Sequence, residues 1–515
     1  MRPIVLTILD GWGYSKEKIG NAILNASKPN MDAIEQAYPS ALLQASGLAV
    51  GMTCGEAGNS EVGHLTLGAG RSIPQYLTRI NRDIESGYFF ENKELLGAIN
   101  NAKSKNSTVH IIGLLGSGSV HSYFNHLLAL IKLLKDKGIE NYKLHLFTDG
   151  KDSSLQGAIP QLQKLSEYFP ESISHIATIL GRDFSMDRTG NWDVTQKTYD
   201  LWTKGQGKSK PDVYKALEEY YAKGLHDSNI PPTVIGSGGL IRDGDSLIFF
   251  NFREDSMRQI AKVFVDDYFD IFPRKDFKEL CVVGFTQYLE ELNLKVAYAA
   301  PFLSNGLAEY LSANGLKQFH IGETEKYAHV TYFFNCLKNK PFDGETDIFI
   351  KSGADSIAEP QMKANDIVTK VIEEMNRNYY DFIVINLANA DVLAHLGNLE
   401  SAIKGIETID TELGRLSEAV LNKDGILLVT ADHGNAERVI YKKSGDPETK
   451  HDQNPVPFYL IGREFKKNYS TEDIKESRKE VVGILSDVAP TILGLMQLPV
   501  PVEMTGDNLM KNLKL

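Results

Sequence analysis

The chain reads as an α/β protein of two domains built on mostly parallel sheets, and three observations predict it. Its 515 residues exceed what one hydrophobic core supports, because single cores stop growing at about 250–300 residues. Short apolar, β-branched runs alternate with longer stretches of helical period. Several of those runs are apolar on both faces, as strands must be when helices cover both faces of their sheet.

Taken in order, the predicted strands are Ile4–Leu9, Val109–Leu115, Leu144–Thr148, Ile173–Leu180, Ser246–Asn251, Ile348–Lys351, Phe382–Asn386 and Ile426–Thr430. Amphipathic helices are expected over Tyr123–Lys137 and Leu155–Tyr168. Polar clusters close several strands: Asp10-Gly11, Thr148-Asp149-Gly150, Asn389-Ala390-Asp391 and Ala431-Asp432-His433-Gly434. Open α/β sheets bind ligands beyond the carboxyl ends of their strands, so these clusters are candidate site residues.

Composition narrows the function. Apolar residues make up 42% and the formal net charge is -12, an ordinary globular balance that disfavours nucleic acid and anionic membrane as partners. Three widely separated cysteines, Cys54, Cys281 and Cys336, form no CxxC pair and no disulfide framework. The apolar start ends at Asp10, too short for a signal sequence, and no run has transmembrane length. A cytoplasmic protein acting on a small molecule is expected.

The strand-end residues include a metal-ligand set. Asp391 and His395 are four apart in DVLAH, so one helical face presents both. Asp432 and His433 are adjacent, His451 lies in the loop HDQNPVP, and Asp10 ends the first strand. Three carboxylates with three imidazoles suit Mn²⁺ or Zn²⁺ better than Mg²⁺, and a pair of such ions would serve phosphoryl transfer. Upstream, GEAGNSEVGH places Ser60 between glycines at the head of a helical stretch, where backbone N–H groups approach a phosphate closely. Metal coordination would turn that hydroxyl into a nucleophile.

GNSEVGH, DGWG, ETEKYAHVT at Glu323–Thr331, NLANADVLAH at Asn386–His395, TADHGN at Thr430–Asn435 and NPVPF at Asn454–Phe458 occur in one order along nearly the whole chain. Together they resemble cofactor-independent phosphoglycerate mutases of the alkaline phosphatase superfamily. The resemblance implies an alkaline-phosphatase-like metal domain divided between residues 1–75 and 303–515. An α/β transferase domain, residues 76–302, is inserted within it. It implies one divalent ion on Asp391, His395 and His451, and a second on Asp10, Ser60, Asp432 and His433, with Mn²⁺ the expected metal. It implies that 3-phosphoglycerate and 2-phosphoglycerate interconvert through a phosphoserine at Ser60, with Lys326 and Asp152 as further catalytic groups and domain closure excluding water. The substrate shell it implies is His121, Lys151, Asp152, Arg182, Arg188, Arg253 and Lys326, in a monomeric enzyme. The alternative reading is another two-metal phosphomutase or phosphatase of the same superfamily.

The departures from the family pattern gather in the substrate shell. Lys151 stands where the family motif has arginine, and LLGSGSVHS replaces LLSDGGVHS before His121. The family places two arginines three apart on what reads as the first helical turn after Asn251-Phe252. Here Arg253 keeps the first place, Ser256 takes the second, and Arg258 follows two residues on. One charge-assisted contact is thus expected to be missing or supplied by Lys151 or Arg258.

Overall fold

The computed structural model describes residues 2–513, which divide into two units, Met1–Gln75 with Phe302–Leu515, and Tyr76–Pro301. The chain opens with strands β1 (Ile4–Leu9) and β2 (Ser40–Gln44) of the first unit. It then builds the second unit on β3 (Val109–Leu115), β4 (Tyr142–Thr148), β5 (Ile176–Gly181), β6 (Lys208–Lys210), β7 (Thr233–Ile235), β8 (Ser246–Phe249), β9 (Cys281–Gly284) and β10 (Lys295–Val296). Returning to the first unit, it adds β11 (Gln318–Glu323), β12 (Glu345–Ile350), β13 (Phe382–Leu387), β14 (Ile426–Thr430), β15 (Val456–Ile461) and β16 (Val481–Ile484).

The sheet of the first unit runs β12-β11-β13-β1-β14-β15-β2-β16, and only β15 is antiparallel to its neighbours. β1 lies at its centre, fully buried and paired in parallel with β13 and β14. That position explains the run IVLTIL, apolar but for Thr7, which meets a strand on each side and core on both faces. The core also takes Ile406, Ile409, Leu413 and Leu416 from the long helix Leu399–Asn422. Because Leu9 is level with Leu387 and Ile8 with Thr430, the loops leaving β1, β13 and β14 emerge side by side.

The second unit repeats the plan with the order β10-β9-β8-β3-β4-β5-β7-β6, parallel except where β7 meets β5. Leu115 is level with Thr148, Thr148 with Gly181, and Ile112 with Phe249. The loops after β8, β3, β4 and β5 therefore also share one edge. The expected helices form over Phe124–Asp136 and Ala158–Tyr168.

Several strand boundaries differ from expectation: β4 opens at Tyr142 rather than Leu144, β13 closes at Leu387 rather than Asn386, and three others have an identifiable cause. The run expected from Ile173 enters the sheet only at Ile176, because Pro170 opens a 3₁₀ turn, Pro170–His175, before it. The strand expected to reach Asn251 stops at Phe249, and Asn251 turns its side chain to accept from the Leu114 N–H at 2.9 Å. The strand expected over Ile348–Lys351 is Glu345–Ile350, its start hidden by the polar residues Glu345, Thr346 and Asp347. Among the described residues, no helix is long and apolar enough to cross a membrane, and all three cysteines are free.

Candidate active site

Three adjacent strand ends in the first unit deliver the acidic residues. Asp10 follows β1, Asp391 lies in the short helix Asn389–His395 after β13, and Asp432 and His433 follow β14. Ser60 opens the helix Ser60–Ala69, whose N-cap Asn59 accepts from the Val62 N–H. A helix N-terminus favours anionic groups, and Ser60 sits there. Lys326 arrives from the loop after β11, just before a single π-helical turn, His329–Phe333, a distortion often found at functional sites.

These side chains meet. Ser60 Oγ donates to Asp10 Oδ1 at 3.1 Å and lies 3.0 Å from His433 Nε2. Lys326 Nζ donates at 2.7 Å to each of Ser60 Oγ, Asp10 Oδ1 and Asp391 Oδ2. Asp10, Asp432 and His433 have no exposed surface, and Ser60 and Lys326 are 6% exposed. Beside them, His395 Nε2 and His451 Nε2 lie 2.9 Å apart and 3.3 and 3.4 Å from Asp391 Oδ1.

The donor set fits divalent metal. His395, His433 and His451 each turn Nδ1 onto a backbone carbonyl, of Thr449, Gly434 and Gly58, at 2.8–3.2 Å. Each ring then presents Nε2 to the carboxylates, the tautomer and orientation that metal-binding imidazoles adopt. Asp432 Oδ2 is buried without a hydrogen bond of its own, because the neighbouring His64 Nδ1, 3.1 Å away, bonds the Ser60 carbonyl at 2.9 Å. Ligand atoms of Asp391, His395 and His451 lie within 4.8 Å of one another, as do those of Asp10, Asp391 and His433, and those of Asp10, His64 and Asp432. Three buried carboxylates face one ammonium, so the cluster is electrostatically a cation trap.

The titrations follow from that imbalance. Burial opposes ionisation of Asp10, yet the Lys326 ammonium holds its carboxyl far below the usual range. Burial likewise opposes charge on His433, but Asp432, Asp10 and Asp391 pull its imidazole up to about 10.

The second unit assembles the opposite charge. Arg182 Nη1 reaches Asp149 and Asp152, each at 2.6 Å, and its Nη2 donates to His121 Nε2 at 2.8 Å. Ser256 Oγ lies 3.0 Å from the other ring nitrogen of His121. Burial and the Arg182 guanidinium push His121 down to about 4, so it is neutral and accepts from the arginine. Arg188 and Arg253 both hold Asp255 Oδ2, at 2.6 and 3.1 Å, and keep much of their surface exposed. Lys151 stands apart from this group, paired with Asp183 at 2.5 Å.

The segment after Asn251 corrects one expectation. Residues 254–257 form a turn, and the helix begins at Arg258. Ser256 therefore does not share a helical face with Arg253; it is 2% exposed and packs against His121. Arg258 donates to the Tyr288 carbonyl and faces Glu254 at 3.6 Å.

Four contributors escaped sequence reasoning. His64 is one helical turn after Ser60, a spacing that could have flagged it. Asn386 donates to Asp10 Oδ2 at 2.6 Å, Asn435 donates to Asp391 Oδ1 at 2.8 Å, and Glu437 lies buried behind them. Buried amides and a carboxylate of this kind carry no spacing signal.

The ligand clusters are those of a divalent-metal enzyme centre, and residues 2–500 match the model of the metalloenzyme superfamily, to which the chain belongs. Within it, the chain belongs to the 2,3-bisphosphoglycerate-independent phosphoglycerate mutases. It is 44% identical to phosphoglycerate mutase 1 of that type from Methanosarcina acetivorans, over 99% of this chain and 98% of the relative. The corresponding figures are 41%, 99% and 99% for the mutase of Clostridioides difficile, and 43%, 98% and 95% for that of Synechocystis. Among solved structures it resembles Leishmania mexicana phosphoglycerate mutase, crystallised at low cobalt concentration. The TM-score is 0.67 at 27% identity, over 98% of this chain and 97% of that one.

Proposed function

We propose that this chain interconverts 3-phosphoglycerate and 2-phosphoglycerate through a phosphoserine at Ser60, in a centre that takes two divalent ions, Mn²⁺ being the preferred one. The observation that carries the reading is Ser60 Oγ at a helix N-terminus, held by Lys326, Asp10 and His433 among further metal-type ligands. Asp391, His395 and His451 would hold one ion, and Asp10, Ser60, Asp432 and His433 the other. The mixed oxygen and nitrogen donors favour Mn²⁺ over Mg²⁺. Bound ions would lower the pKa of the serine hydroxyl and neutralise charge on the phosphoryl oxygens.

The chain's own groups account for the rest. Ser60 Oγ, its proton directed at Asp10 Oδ1, attacks the phosphorus of 3-phosphoglycerate in line, and the bond from phosphorus to the glycerate O3 breaks. Lys326 stabilises negative charge on Oγ and on the transferring group. O3 leaves with the bonding pair and takes a proton, for which Asp152 is the assigned donor. The glycerate O2 then surrenders its proton to the same carboxylate and attacks the phosphoserine; the bond from phosphorus to Ser60 Oγ breaks, and Oγ leaves with the bonding pair and takes back the proton it gave up in the first step. Arg182, Arg188 and Arg253 would bind the substrate's carboxylate and phosphate, exchanging their aspartate partners for it.

A coupled assay in the absence of bisphosphoglycerate tests this reading. Turnover should require Mn²⁺, vanish with chelator and return on adding Mn²⁺. Turnover by a rigorously metal-free sample, or a requirement for bisphosphoglycerate, would overturn it.

A further inference from the structure

Glu437 is a deeply buried acidic side chain beside the centre with no counter-ion: it is 1% exposed, and no lysine or arginine among the described residues pairs with it. Its carboxylate accepts three hydrogen bonds. Gly13 N–H and Asn435 N–H donate to Oε2 at 3.1 and 2.8 Å, and Asn454 Nδ2 donates to Oε1 at 3.1 Å. All three partners are donors, so the geometry is that of an ionised carboxylate, although burial pushes this group up to about 7.

The backbone around it is shaped to admit it. A Cβ on Gly13 would lie 2.2 Å from the carboxylate, and one on Gly434 would lie 2.3 Å from Oε1. The glycines of DGWG and ADHGN thus leave the cradle that the carboxylate fills. Each donor belongs to a different ligand-bearing loop. Gly13 lies three residues after Asp10, Asn435 two after His433, and Asn454 three after His451. Asn435 passes the constraint on, since its side chain steers Asp391. The same loops are joined further by Asp452 N–H bonding the Gly434 carbonyl at 2.9 Å.

We propose that Glu437 is a positioning residue for the metal centre, an anionic staple that holds the loops of Asp10, Asp432–His433 and His451 in the one arrangement that presents their donors to two divalent ions. The inference rests on the two-metal reading above. Outer-sphere partners of metal ligands commonly contribute ten- to a hundredfold in metal affinity. Glutamine preserves the size of the side chain but replaces one acceptor oxygen with a donor, so Glu437→Gln cannot satisfy all three donors as they stand.

The test is Mn²⁺ binding by equilibrium dialysis with the full chain, with far-UV circular dichroism of the metal-free protein to verify the fold. Wild type should bind two ions. Folded Glu437→Gln should bind them about 10- to 100-fold more weakly, and Gly13→Ala, which pushes the carboxylate from its cradle, should act in the same direction. Should Glu437→Gln fail to fold, Asn454→Ala, which removes only the outer donor, carries the test with an expected loss of about 3- to 10-fold. Wild-type affinity in a folded Glu437→Gln protein, or in Asn454→Ala where the first variant does not fold, overturns the inference alone. A wild-type protein that takes up no Mn²⁺ overturns the two-metal reading and this inference with it.

Discussion

The two units share a sheet plan and treat charge in opposite ways. In the first, Asp10, Asp391 and Asp432 converge with little or no exposed surface, and Lys326 and the His433 imidazole offset them only in part. In the second, Arg182, Arg188 and Arg253 are each held by aspartates, and the side chains of Arg188 and Arg253 are 60% and 47% exposed. A buried anionic cluster is costly unless cations enter it, so the first unit stores its specificity as a fixed geometry of ligands. Solvated arginines cost little to hold and are free to exchange one carboxylate partner for another, so the second unit is suited to a ligand that comes and goes.

The strongest way to break that contrast is at the nucleophile. Ser60→Ala should reduce mutase turnover by about 10⁴-fold or more while the fold persists, because the covalent step has no substitute. Mass spectrometry after a brief substrate pulse should find phosphate on Ser60 in the wild type, and phosphate on another residue would refute the assignment. Next comes the arginine that is most buried. Arg182→Ala removes a contact worth about 1.5–3 kcal/mol, so KM should rise roughly ten- to a hundredfold with Mn²⁺ binding unchanged. Altered Mn²⁺ binding in that variant would mean that the units do not divide the labour as described.

Ser256 sharpens the comparison more gently. Ser256→Ala deletes one hydrogen bond to His121, about 0.5–1.5 kcal/mol, and should raise KM by about two- to tenfold. Ser256→Arg should bind substrate worse than wild type, because the position is buried against His121; improved affinity would show instead that an arginine is accommodated and useful there. The smallest effect concerns acid stability. Burial holds His126 down at about 3, against about 6.5 in an unfolded chain. The unfolded state binds the extra proton between those values, so this contribution is intact above about pH 6.5 and is lost as pH falls toward 3. Thermal midpoints should therefore drop less between pH 7 and 4 in His126→Leu than in wild type, whatever the variant's stability at pH 7.

What could be read from the sequence was whatever chemistry places at a strand end. Asp10, Asp149, Asp391 and Asp432 follow runs such as IVLTIL and ILLVT that only a covered strand explains, and those strands are where expected. Other strands were illegible for identifiable reasons. β15 contains Pro457, which argues against an interior strand, and β6 is the polar tripeptide Lys208–Lys210. The turn over residues 254–257 reads as a helix because spacing alone cannot distinguish the two over four residues. His64, Asn386, Asn435 and Glu437 were missed because each acts through a neighbour, and indirect contacts leave no periodicity.

The central place of β1 sets an order of events during synthesis. Its six residues, five of them apolar, are made well before either lateral partner, and neither Phe382–Leu387 nor Ile426–Thr430 exists until roughly 370 residues later. At about 5–20 residues per second, that is an interval of roughly 20–75 s in which a sticky strand waits unpaired. The second unit, continuous from Tyr76 to Pro301, has all its strands well before then. Nascent chains should thus contain a finished inner domain tethered to an unsatisfied strand, the species on which chaperones and aggregation compete.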